Sequence, residues 1–484
     1  MRWLRNPTFH LPAVPAWLVR LTGGAFLLAY FLCLAWNGLH SRFIRDDPSN
    51  LYYYWSRGAG PLIRAQFEFF TTYYRPMGGL FYLPIYSLGG WDPLPYRAVA
   101  LFIILLNTAL VYRVAKLLSG SAGVGWLAAF LAAYHPRVMD IVYENAKIYD
   151  VLCFLFYFAA LAWYLGIRAR GQFCNWRQTA VFIALYICAL NSKEMAVTLP
   201  LTLVLYELLF HPPIGINVKT LWAWVTREGR IAAIAGLLTA VYVFGKTIGP
   251  DPLIQIEGYR PEFTVEKFMN SITSNLQDLF YLPDWFGPWH IVGAWAALLA
   301  FAWFKKSGYV AFCVLFAISS ELPIAFIGRA WSCLYIPLAA WAMLVSASVW
   351  AAAELASSVF RPRAVRRAVA ALLVAVFVLW NATYAWSEKQ RLEHYFFEVQ
   401  GPTWSAIQQF TKFKIDPKPG SRIAFLHDPL PSPTALYLAR LRFQNPNLDV
   451  VLRADELPAS AFSDIDFIFD YQNGEFVQIK PPNH

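Results

Sequence analysis

The chain has 484 residues, of which 58% are hydrophobic and only 14% charged. Soluble domains carry about 25% charged residues, so the composition excludes a soluble globular enzyme and marks a polytopic membrane protein. The net charge of +10 is not a nucleic-acid signal, because the basic residues sit in small clusters between hydrophobic spans, where orientation signals belong.

A membrane helix needs about 20 apolar residues. By that rule spans are expected near 17–38, 95–117, 122–138, 148–167, 177–191, 195–211, 229–248, 288–304, 308–327, 331–354 and 367–387. Arg2 and Arg5 precede the first, and no small-residue cleavage site follows it, so it reads as an uncleaved helix. With the N-terminus cytoplasmic, the loops on that side hold Arg113 and Lys116, then Arg168, Arg170 and Arg177, then Lys219, Arg227 and Arg230, then Lys305 and Lys306, then Arg361 to Arg367. The short opposite loops hold few cations, such as Lys147 and Lys193. This is the positive-inside pattern. It requires 39–94 to be one external loop, with the apolar piece Met77 to Leu88 lying along the membrane as a juxtamembrane helix. A second amphipathic helix is expected over Val265 to Phe280.

Beyond residue 387 the composition turns polar. Strands are expected over 421–426, 448–452, 467–470 and 475–479, and a helix over 433–441. The Asn473-Gly474 step predicts a hairpin between the last two strands. The expected division is a membrane module over 1–387 and a small external α/β domain over 388–484.

On this topology acids collect on the external side. The pair Asp46-Asp47 follows the first span, and two adjacent carboxylates at the mouth of a span are costly to place. One of them suits a general base that takes a proton from an acceptor hydroxyl. A divalent metal at the pair is compatible with this, though no spacing requires a cofactor. Asp140 and Glu144 stand four apart, with Asp150 and Lys147 near the next helix. Arg75 and Lys193 suit a phosphate, Arg329 is a further cation at the start of the tenth span, and Tyr74, His135 and Glu194 are supporting polar residues.

These stretches, in this order, resemble the GT-C superfamily of polyprenyl-phosphate-dependent glycosyltransferases, especially the membrane part of the tetratricopeptide-containing O-mannosyltransferases and their bacterial relatives. The matching pieces are Asp46-Asp47, Tyr74-Arg75-Pro76, Trp91-Asp92-Pro93 leading to Asn107, His135-Pro136 with Asp140 and Asp150, Ser192-Lys193-Glu194, and Leu334-Tyr335-Ile336-Pro337. The resemblance implies an all-α GT-C-like fold of about eleven membrane helices and an active site on the non-cytoplasmic side. Asp46 or Asp47 would be the catalytic carboxylate, with Asp140, Glu144 and Asp150 lining the site. Arg75, Lys147, Lys193 and Arg329 would hold the lipid phosphate. The donor would be a polyprenyl-phosphate hexose such as mannose, transferred with inversion to an acceptor protein, lipid or glycan, in a bacterial inner membrane. Ile104 stands where relatives often carry His, and the tetratricopeptide array is absent. A transporter or flippase of lipid-linked sugars is the alternative reading. It would be expected to show inverted repeats or helices broken at the midplane, and the sequence shows no repeat.

Overall fold

A computed structural model describes residues 16–68, 75–215, 217–248, 257–456 and 458–479. In chain order the helices are α1 (Ala16–Ala35), α2 (Asp46–Arg57), α3 (Ala59–Ala65), α4 (Pro76–Gly89), α5 (Pro93–Ser119), α6 (Ala122–Ala133), α7 (Asp140–Tyr143), α8 (Ile148–Arg168), α9 (Trp176–Ser192) and α10 (Leu199–Phe210). They continue with α11 (Val218–Arg227), α12 (Arg230–Ile248), α13 (Val265–Phe280), α14 (Pro288–Phe304), α15 (Gly308–Ala325), α16 (Tyr335–Ser357), α17 (Arg363–Lys412) and α18 (Thr434–Arg442). The strands are β1 (Arg422–Leu426), β2 (Asp449–Leu452), β3 (Phe467–Gln472) and β4 (Glu475–Ile479).

Each of the eleven expected spans holds a helix: α1, α5, α6, α8, α9, α10, α12, α14, α15, α16 and α17. Seven helical stretches among the described residues are long and apolar enough to cross a membrane, and α6 and α14 are shorter apolar helices. The chain is thus an integral membrane protein. The expected span 122–138 is cut short for a local reason. The residue before a proline is pushed out of the α region, and His135 before Pro136 is extended at φ −135° and ψ 127°, so α6 stops at Ala133.

The largest departure from expectation is α17. Its apolar part ends near residue 387, yet the helix, 50 residues long in all, runs on to Lys412. The continuation, Ser387-Glu388-Lys389-Gln390-Arg391-Leu392-Glu393, is rich in good helix formers. Glu388 to Arg391 and Lys389 to Glu393 form ion pairs one turn apart. Beyond α17 lies one four-stranded sheet of order β2-β1-β3-β4. β1 is parallel to β2 and β3, and β3 is antiparallel to β4 across the Asn473-Gly474 turn. The sheet is fastened to α17 by stacked rings, Phe410 on Phe425 at 5.3 Å and Phe413 on Phe469 at 4.2 Å.

The sheet domain also rests on α2. Tyr52 stacks on Tyr437 at 5.0 Å, and its hydroxyl donates to the Pro446 carbonyl and accepts from Arg440. Alternate connectors between the long helices meet at this end of the bundle.

Candidate active site

The connectors enclose a cavity of about 1040 Å³. Asp46, Ser49 and Asn50 line it from α2, and Asp140, Glu144, Lys147 and Asp150 from the α6–α8 connector and the start of α8. Arg75, Lys193 and Glu194 reach it from the starts of α4 and of the turn after α9. Arg329 and Trp331 come from the α15–α16 connector, Tyr242 and Lys246 from the end of α12, and Tyr395 from the polar half of α17. One flank is apolar, with Val243, Phe263, Leu322, Phe326 and Ile327.

The two adjacent carboxylates are separated by the fold. A helix rotates side-chain direction by about 100° per residue, so Asp46 faces the cavity while Asp47 turns inward and is 1% exposed. Asp47 accepts from the Ile44 N–H at 2.8 Å and from the Tyr82 hydroxyl at 3.0 Å. Burial pushes its carboxyl up to about 7, against the Ile44 bond and the Arg97 charge that pull it down. Asp46 keeps an exposed side chain beside Arg45. Because the two groups diverge, they do not form a shared cation site. Among the described residues no three His, Cys, Asp or Glu side chains gather to hold a metal ion.

The other acids and cations form ion pairs. Lys193 Nζ lies 2.6 Å from Asp150 Oδ1, and Arg75 Nη2 lies 2.9 Å from Glu194 Oε2. Burial alone would raise the Glu194 carboxyl, but the Arg75 guanidinium beside it brings it below the usual range. Lys147 is shared between Glu144 at 3.3 Å and Asp140 at 3.9 Å. Asp140 also accepts from the Ser332 N–H at 3.0 Å, and burial pushes it up to about 7 against Lys147. Arg329 donates to the Gly258 carbonyl at 2.8 Å and stacks on Tyr259.

His135 is placed outside this lining. Its Nε2 lies 3.1 Å from the Leu279 carbonyl and its Nδ1 accepts from the Arg137 N–H, so it caps the turn after α6. Burial brings it down to about 4, which keeps it neutral. Tyr74 lies outside the described residues.

Three residues beyond the expected set matter. Arg97, fully buried in α5, donates to Asn145 at 2.8 Å and to the Val142 carbonyl at 3.2 Å, and its charge acts on Asp47. Gln400 accepts from the Arg42 N–H at 2.8 Å and donates to the Tyr143 carbonyl at 3.0 Å. Each therefore ties the loop carrying Asp46 to the loop carrying Asp140 and Glu144. Lys246 is the third. A charge inside an apolar span is a functional signal, and that signal was present for Arg97 and Lys246. Nothing local marks Gln400, whose partners lie more than 250 residues away.

No family model and no curated protein matches this sequence. Among solved structures, the chain is similar to the crystal structure of ArnT from Cupriavidus metallidurans bound to undecaprenyl phosphate. The match has 13% sequence identity and a TM-score of 0.49, and covers 95% of this chain and 93% of that one.

Proposed function

We propose that the chain is a GT-C glycosyltransferase that moves a hexose from a polyprenyl-phosphate carrier to an acceptor hydroxyl on the non-cytoplasmic face of the membrane. This reading rests chiefly on the cavity at the connector end. It joins an exposed carboxylate, paired lysine and arginine side chains and an apolar flank at one end of a membrane bundle. A lipid-phosphate sugar needs all three. Arginine and lysine match a phosphate, the apolar flank suits a polyprenyl chain, and a carboxylate suits proton removal.

In the proposed reaction Asp46 takes the proton of the acceptor hydroxyl. The acceptor oxygen bonds to the anomeric carbon as the bond from that carbon to the phosphate oxygen breaks, inverting the centre. The electron pair leaves with the phosphate, whose charge Arg75 and Lys193 offset. Asp47 does not touch substrate; with Tyr82 and Arg97 it fixes the start of α2 and so aims Asp46. The basic residues Lys116, Arg168, Arg170, Lys305, Lys306 and Arg366 lie at helix ends away from the cavity, which supports a cytoplasmic N-terminus. A bacterial inner membrane is the proposed location.

The test is sugar transfer from radiolabelled polyprenyl-phosphate hexoses in membranes, comparing wild type with Asp46→Asn at equal expression. Transfer by wild type that falls in the variant supports the reading. Wild-type movement of intact lipid-linked sugar between leaflets, without transfer, would replace it with the flippase.

A further inference from the structure

Trp331 occupies a conformation its side chain resists. Its φ is +57°, in the left-handed region that is strained for a residue with a Cβ and that glycine adopts freely. Such strain persists where the surroundings over-determine it, and it clusters at ligand sites. Here the turn has two results. The following N–H, of Ser332, reaches the Asp140 carboxylate at 3.0 Å. The indole itself lines the cavity and stays 41% exposed.

A second aromatic stands in the same lining. Tyr395, on the polar half of α17, is 55% exposed. Between these two, Phe396 is buried, meets the Trp331 ring edge-on at 6.3 Å and stacks on Tyr143 at 5.2 Å. The indole is therefore held in place by packing on one side and open on the other. Around it the cavity offers Asp140, Glu144 and Lys147, with Ser49 and Asn50 in the same lining.

We infer that Trp331 and Tyr395 form a stacking platform for a pyranose ring, whose hydroxyls meet the Asp140–Glu144–Lys147 group. A pyranose has an apolar C–H face and a polar rim. An exposed indole covers the first without a polar penalty, and fixed charged groups satisfy the second. An acyl chain would use the aromatic face but leave the acids and lysine facing hydrocarbon, which is costly. The ring belongs either to the donor sugar or to a carbohydrate acceptor. The inference rests on the glycosyltransferase reading only for that assignment.

The experiment is saturation-transfer NMR on the full chain in a detergent without a sugar headgroup. Methyl mannopyranoside, glucopyranoside and galactopyranoside are the probes, and glycerol is the control. Wild type is expected to bind at least one pyranoside and not glycerol. Trp331→Ala is expected to weaken binding roughly tenfold or more, Tyr395→Ala less, and Trp331→Phe to restore most of it. Melting curves check that each variant folds, and Tyr395→Ala serves if Trp331→Ala does not. No saturable pyranoside binding by wild type would overturn the platform, as would binding by Trp331→Ala and by Tyr395→Ala equal to that of wild type. In steady-state transfer, a KM rise confined to the donor assigns the ring to the donor sugar, and one confined to the acceptor makes the acceptor a carbohydrate. Because binding is read without turnover, pyranoside binding in a chain that transfers nothing would defeat the transferase reading and keep the platform.

Discussion

Both ends of the helix bundle bury an ion pair, and the two are built differently. At the end away from the cavity, Glu207 is fully buried and accepts from Arg168 at 2.8 and 2.9 Å and from the Tyr164 hydroxyl at 2.5 Å. Arg168 stacks on Phe173 at 4.5 Å. Both carboxylate oxygens are engaged and protein surrounds the pair. At the cavity end, Lys193–Asp150, Arg75–Glu194 and Lys147–Glu144 are also paired, but all six side chains line open space. The first arrangement can only hold helices together. The second leaves charge facing open space at the cost of packing, the arrangement that the proposed binding of a phosphate requires.

The largest effect is expected at the closed end. Breaking a buried pair leaves one charge unpaired and costs about 3–5 kcal/mol, whereas replacing both partners with apolar groups is often neutral. Glu207→Leu alone should therefore sharply reduce the yield of folded protein, and Glu207→Leu with Arg168→Met should restore it. Size-exclusion profiles in detergent read this directly. Restored transfer should accompany restored folding, since the pair does no chemistry.

At the cavity end the order reverses. Lys193→Met should lower transfer by about 100-fold or more while costing less folded yield than Glu207→Leu, because Asp150 can recruit water from the cavity. Equal losses of yield at the two ends would erase the distinction drawn between them.

A smaller effect is expected from Gln400→Met, which keeps the side-chain length but removes both bonds between the loops. Transfer should fall by roughly tenfold through kcat, with donor KM little changed. Hydrogen exchange at the Arg42 amide should rise. Gln400→Glu, which can still accept from Arg42, should keep that amide protected. A change in KM alone would make Gln400 a substrate contact instead.

The last effect is one of pH and concerns Asp47. An unfolded aspartate titrates near about 3.9, and burial raises the native group to about 7. The unfolded chain therefore loses this proton first as pH rises, so the stability contributed at acid pH is lost between roughly pH 4 and 7. Asn has no such loss. The melting temperature of Asp47→Asn relative to wild type should rise between pH 5 and pH 8, and a gap independent of pH would contradict the buried, proton-holding role.

The sequence made the helices legible because each apolar run is long and bounded, and the α/β domain because its strands alternate around clear turn residues. It also marked most cavity residues, since charge beside a membrane span is rare enough to stand out. What it hid are relations between distant segments. That Asp46 faces the cavity and Asp47 does not depends on how α2 sits on α4 and the sheet domain. Trp331 looks like one of many interfacial tryptophans until its backbone angle is known. The extension of α17 to Lys412 was hidden by the loss of apolar character near residue 387, although helix propensity remains high beyond it.

In the proposed mechanism Asp46 is the base and Asp47 its support. The most direct test is single-turnover sugar transfer by wild type, Asp46→Asn and Asp47→Asn, at equal folded concentration and saturating donor. The expected result is a loss of about 100-fold or more for Asp46→Asn, with donor binding retained, and a clearly smaller loss for Asp47→Asn. Transfer undiminished in Asp46→Asn, or lost only in Asp47→Asn, would contradict it.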